Sequence, residues 1–150
     1  MKAVRSDISD TLGRALALCR AGDWDGGLYH LGQLTETGGP MPGLFYSYLG
    51  YGIARCQGKI KEGLKLCQHS IKVEFYESDN YLNLARTCLL AKDRTGAVRA
   101  VRGGLKVDAQ NVELLALYRE LGIRQDPVIT FLSRCNPLNM LLGRIRNGFR

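Results

Sequence analysis

One short turn recurs along this chain, and a small residue follows it each time at the same distance. The turns are Gly22-Asp23-Trp24, Gly58-Lys59-Ile60 and Lys92-Asp93-Arg94, and Gly27, Gly63 and Ala97 stand five residues after Gly22, Gly58 and Lys92. Two antiparallel helices come close only where small side chains occupy the crossing, because packed interiors leave no room for an extra methylene. A chain that repeats the turn with its small residue therefore repeats one helix hairpin. A longer recurrence runs with it. Gly63-Leu64 returns as Ala97-Val98 and Ser70-Ile71 as Gly104-Leu105, each 34 residues on, while Asn83 and Arg86 give way to Leu117 and Glu120 at the same interval. A fixed period of that length belongs to stacked hairpins, none of which buries its apolar face alone.

Between the turns, apolar residues recur every three or four positions, the spacing of a helix with one buried face. Helices are predicted over residues 7–21, 24–36, 43–57, 60–74, 79–92, 95–107 and 112–122. Strand patterning is weak throughout, and the glycine-rich stretch from Thr37 to Pro42 is the longest break. At 150 residues, 45% of them apolar, the chain suits one globular all-α domain. No stretch approaches the roughly 18 apolar residues of a membrane helix. The opening Met-Lys-Ala-Val-Arg-Ser-Asp lacks the apolar core of a secretory signal.

With these residues in place, the chain resembles the tetratricopeptide-repeat family, whose unit has the same period. The third unit, residues 78–111, matches through Tyr81, Leu84-Ala85 and Cys88 in its first helix and Ala97, Val101 and Gly104-Leu105 in its second. The second unit, 44–77, keeps Gly58, Gly63, Cys67, Ser70 and Ile71, with Leu49-Gly50 and Ile53 one residue out of step. The first, 8–36, keeps Ala15, Leu18, Gly22, Gly27 and Leu31, with Leu34 where a small residue is expected, and residues 112–122 form a half unit.

The resemblance implies an all-α, right-handed solenoid of helix-turn-helix repeats, whose first helices line a concave groove for a peptide or protein segment. Carried over position by position, it assigns partner binding to Arg20 in the first unit, to Tyr48, Tyr51 and Arg55 in the second, and to Asn83 and Arg86 in the third. Asp79, Glu113 and Glu120 occupy neighbouring groove positions. Aromatic rings supply contact area at little entropic cost, and Arg and Asn bond carboxylate and backbone. Leu12 and Leu16 replace the Lys and Asn of the family's carboxylate clamp, so capture of a terminal carboxylate is not expected. Tyr46, Tyr48 and Tyr51 cannot all face the groove, and Arg86 is placed to pair with Glu120.

Signs of catalysis are sparse. There is no Gly-x-Ser-x-Gly elbow, and the phosphate-loop pattern fails because five residues separate Gly52 from Gly58-Lys59 and Ile60 follows. His30 and His69 have no neighbouring ligand, and the five cysteines form no Cys-x-x-Cys pair, so neither a metal nor another cofactor is expected. Cys19, Cys56, Cys67 and Cys88 sit in apolar helical stretches as small hydrophobes, which suits a reducing compartment, most simply the cytoplasm. The expected function is a non-catalytic scaffold or adaptor, chaperone-like roles included.

A net charge of +7 supports an alternative. Lys61, Lys65, Gln68 and Lys72 share a face of one second helix, and Arg99, Arg102 and Lys106 share a face of the next. Such a convex basic face would suit nucleic acid or an anionic surface, although it lacks interleaved aromatics for base stacking. After Asp126-Pro127 and Asn136-Pro137, the residues Leu138, Leu141, Leu142, Ile145 and Phe149 share one helical face. Residues 126–149 are accordingly predicted to cap the open end of the stack, with a basic amphipathic helix for a membrane surface as the alternative.

Overall fold

The computed structural model describes residues 2–123 together with 142, 144 and 145, with side chains from Asp7 onward. Among the described residues it contains seven helices and no strand: α1 (Lys2–Arg20), α2 (Trp24–Thr35), α3 (Gly43–Gln57), α4 (Ile60–Val73), α5 (Ser78–Leu90), α6 (Arg94–Val107) and α7 (Val112–Glu120). Helix α1 begins five residues before its expected start, because Lys2, Ala3 and Arg5 are good helix formers and nothing ahead of Asp7 breaks the helix. The expected cap, residues 126–149, lies outside the described residues apart from Leu142, Arg144 and Ile145.

The hairpins α1–α2, α3–α4 and α5–α6 stack in chain order, and α3 packs on α5 as α4 does. Each hairpin turn needs one residue in the left-handed region. Gly22, Gly58 and Lys92 fill it, with φ of 93°, 68° and 58°, and Lys92 is the one that bears the Cβ penalty. Asp23 and Asp93 then cap α2 and α6, accepting from the N–H of Gly26 and Gly96 at 3.0 and 2.8 Å.

The second unit's one-residue slip has a local cause. In the first and third hairpins, the N–H of Asp23 or Asp93 bonds the carbonyl five residues back, at Leu18 or Cys88. At the end of α3, the Lys59 N–H reaches six residues back to Ile53. The wider turn absorbs the extra residue, so Gly50 still meets the crossing with α4. There the backbones of α3 and α4 touch: a Cβ on Gly50 would lie 2.8 Å from Gly63 O, and one on Gly63 would meet Gly50 O. Leu34, standing where a small residue is expected, is buried with Leu31, Met41 and Phe45. Its bulk accords with the looser packing of α2 on α3 than of α4 on α5.

Two apolar clusters fill the stack, one around Leu31, Phe45, Tyr48 and Cys67, the other around Leu82, Val101, Leu114 and Leu117. A polar seam runs between α3, α4 and α5. Cys67 Sγ donates to Ser47 O, Thr87 Oγ1 to Asn83 O, and Asn80 Nδ2 to Glu74 O. The Cys67–Ser47 bond ties α4 to α3, whereas the other two are local to α5 and the turn before it.

Candidate functional site

Helices α2 and α3 bring aromatic residues to one place. Trp24, at the start of α2, stacks on Tyr48 of α3 with ring centroids 6.1 Å apart, and meets Tyr51 edge-on at 4.8 Å. Three guanidinium groups lie over these rings: Arg20 at 5.5 Å from the Tyr48 centroid, Arg55 at 6.0 Å from Trp24 and Arg86 at 5.7 Å from Tyr51. Ring and cation attract through the ring quadrupole, so each arginine is held above an aromatic floor. The result is a hollow of about 350 Å³ lined by Cys19, Arg20, Gly22, Trp24, Tyr48, Tyr51, Arg55, Arg86 and Glu113.

Two of the three cations are already engaged. Arg20 donates through Nε to the Tyr48 hydroxyl (3.0 Å) and through Nη2 to Asp79 Oδ2 (2.9 Å), and the Tyr48 hydroxyl donates to that same oxygen (2.8 Å). Burial, followed by the charge of Asp79, pushes the Tyr48 hydroxyl well above its ordinary range, so it stays protonated and keeps donating. Arg86 pairs with Glu113. Arg55 donates to the Tyr51 hydroxyl at 3.3 Å, and among the described residues no carboxylate pairs with it. The groove continues past Arg86 and Glu113 as a second hollow of about 210 Å³, which Leu82, Ala116, Leu117 and Glu120 also line.

Five of the six residues singled out in the sequence therefore meet around one hollow: Arg20, Tyr48, Tyr51, Arg55 and Arg86. Asn83 does not. It is 0% exposed, and its Nδ2 donates to Ser47 Oγ at 3.4 Å inside the seam, so it builds the wall and offers nothing to a ligand. Tyr48, at 4% exposure, is floor rather than rim. Arg86 pairs with Glu113 at the start of α7 instead of with Glu120. Tyr46 is the tyrosine that packs away from the groove, edge-on to His69 of α4 at 4.6 Å. Position-by-position reasoning missed Trp24 because it opens a second helix, whereas the carry-over counted only first helices. As the single tryptophan, beside a recurring turn, it was visible in the sequence.

Elsewhere the chemistry is limited. Among the described residues no three His, Cys, Asp or Glu side chains come together as a metal ion would require, and no described helix is long and apolar enough to cross a membrane. Cys19, Cys56, Cys67 and Cys88 are free thiols, of which Cys56 alone is exposed.

The stacked hairpins have the tetratricopeptide-repeat fold. The chain is similar to the TPR domain of OM64 from Arabidopsis, with a TM-score of 0.62 at 11% identity, over 77% of this chain and 94% of that one. It is likewise similar to TTC0263, a thermophilic TPR protein of Thermus thermophilus, with a TM-score of 0.61 at 13% identity, over 77% of this chain and 66% of that one. No protein-family model matches the sequence, and no curated protein matches it significantly.

Proposed function

We propose that this chain is a non-catalytic interaction scaffold, holding a peptide or protein segment in its concave groove in a reducing compartment such as the cytoplasm. The observation that carries the reading is the convergence of Trp24, Tyr48 and Tyr51 under three guanidinium groups, with Arg55 left for a carboxylate. A bound segment would lay an apolar or aromatic side chain on the rings and an acidic one on Arg55, a charge-assisted contact roughly twice as strong as a neutral hydrogen bond. Tyrosine, tryptophan and arginine are also the residues that carry most binding energy in protein interfaces.

Affinity capture from cell extract, with the retained partner identified by mass spectrometry, supplies the segment to test. Arg55→Ala/Arg86→Ala should lose that partner, whereas Lys65→Ala/Arg99→Ala/Lys106→Ala on the convex face should retain it. Loss in the convex variant alone would replace the groove reading with a basic-surface one. Added salt provides a second check, since phosphate-driven binding of nucleic acid weakens steeply as salt rises and a groove with an aromatic floor should hold.

A further inference from the structure

The convex side carries a second concavity that the groove does not explain. Helices α4 and α6 each pack on α5 and hardly on each other, which leaves a slot of about 270 Å³ between them. Leu64 and Ile71 of α4 form one wall, Ala100 and Arg99 of α6 the other, and Tyr81 and Leu84 of α5 the floor. Tyr81 has its hydroxyl committed to Phe75 O at 3.0 Å. The volume falls just short of the about 300–1,000 Å³ of small-molecule sites, and it lies open along the helices, a shape for side chains presented in a row.

Arg99 and Asp93 are the charged residues that line the slot, and further cations stand along the two helices that flank it. Lys61, Lys65 and Lys72 recur at helical spacing along α4 and are exposed, and Arg99 and Lys106 are exposed on α6. Opposing charge is thin: Glu62 is exposed on another side of α4, and Asp93 at the slot's end spends a carboxylate oxygen on the Gly96 N–H. An apolar floor between cationic banks is complementary to a chain with apolar residues on one stripe and carboxylates beside it. Nucleic acid would bring phosphates to the banks, but the slot offers its bases one ring, Tyr81, rather than the row of rings on which successive bases stack.

We propose that the α4–α6 slot is a second docking site, and that its partner is an acidic amphipathic helix of another protein. The helix lays its apolar side chains between Leu64 and Arg99, and its Asp and Glu side chains meet Lys61 and Lys65 on one bank and Arg99 on the other. The site is separate from the concave hollow and shares no lining residue with it.

A random peptide display library selected on the full chain tests this, with phosphatidylglycerol vesicles and a single-stranded oligonucleotide as competing probes. Peptides with Leu, Ile or Phe at helical spacing flanked by Asp or Glu should be enriched. Their binding should weaken by about tenfold or more in Lys65→Glu/Arg99→Glu and in Leu64→Gln, and stay unchanged in Arg55→Ala. Where Leu64→Gln fails to fold by circular dichroism, Gln68→Trp, which fills the slot from an exposed position, takes its place. The proposal is overturned by peptides without acidic flanks, or by binding that both slot variants leave intact. It is also overturned if the vesicle or oligonucleotide is the preferred probe and is lost in Lys65→Glu/Arg99→Glu but not in Leu64→Gln.

Discussion

Replacing Gly63 with alanine adds one methyl group where the backbones of α3 and α4 approach most closely. A Cβ there meets Gly50 O and lies 2.8 Å from the Ala54 Cβ. A backbone carbonyl and the first carbon of a side chain cannot swing aside, so α3 and α4 must part, and overpacking of this kind costs about 1–3 kcal/mol. Alanine returns roughly 1 kcal/mol through helix propensity, which leaves a net loss of about 0–2 kcal/mol. Gly32, inside α2, would place its Cβ in open space, so Gly32→Ala keeps the propensity gain undiminished. Thermal denaturation of the two variants should move in opposite directions, by roughly 2–4 °C per kcal/mol for a chain of this size. Gly50→Ala should cost a similar amount, and the double variant should cost less than the sum, because the helices need part only once. A Gly63→Ala protein stabilised as much as Gly32→Ala would refute the crossing.

Other outcomes follow from single contacts. Lys92 holds a positive φ that glycine adopts freely, so Lys92→Gly should raise the unfolding free energy by about 0.5–1 kcal/mol in denaturant titration, and a decrease would contradict the turn. Asp93→Ala removes the α6 cap bond to Gly96 and should cost about 0.5–2 kcal/mol in the same titration. Cys56 should react with a thiol reagent in the native protein while Cys67 stays inert, because burial pushes Cys67 up to about 12, and Cys19 to about 11, from an ordinary 9.0. The folded state holds these protons more tightly than the unfolded state, so their contribution to stability is full below pH 9 and is lost as pH rises toward 11 and 12. Equal modification of Cys56 and Cys67 at neutral pH would show that the second hairpin is not packed as described.

Much of the fold was legible because the constraint that builds it is local. The left-handed turn residue and the small residue five positions later are fixed by the geometry of one hairpin, so Gly22, Gly58 and Lys92 mark the turns in the sequence itself. The slip at Gly50 was legible as a slip, but the Lys59–Ile53 bond that absorbs it depends on how α3 unwinds, which periodicity does not encode. The groove divided in the same way. Tyr48, Tyr51, Arg55 and Arg86 follow from position within a unit, whereas the burial of Asn83 depends on Ser47 meeting it across α3 and α5. The choice of Glu113 over Glu120 by Arg86 depends on how two helices are offset, and no spacing within either one shows that.

Trp24 is the chain's only tryptophan and it lies in the floor of the hollow, so its emission reports the groove without a label. A synthetic, tryptophan-free peptide covering the captured partner's segment, titrated into the full chain, should shift that emission saturably. The same titration should give no shift in Arg55→Ala/Arg86→Ala, and an undiminished one in Lys65→Glu/Arg99→Glu. Binding seen by peptide anisotropy, with Trp24 emission flat throughout, would place the segment elsewhere and contradict the groove as the site of function.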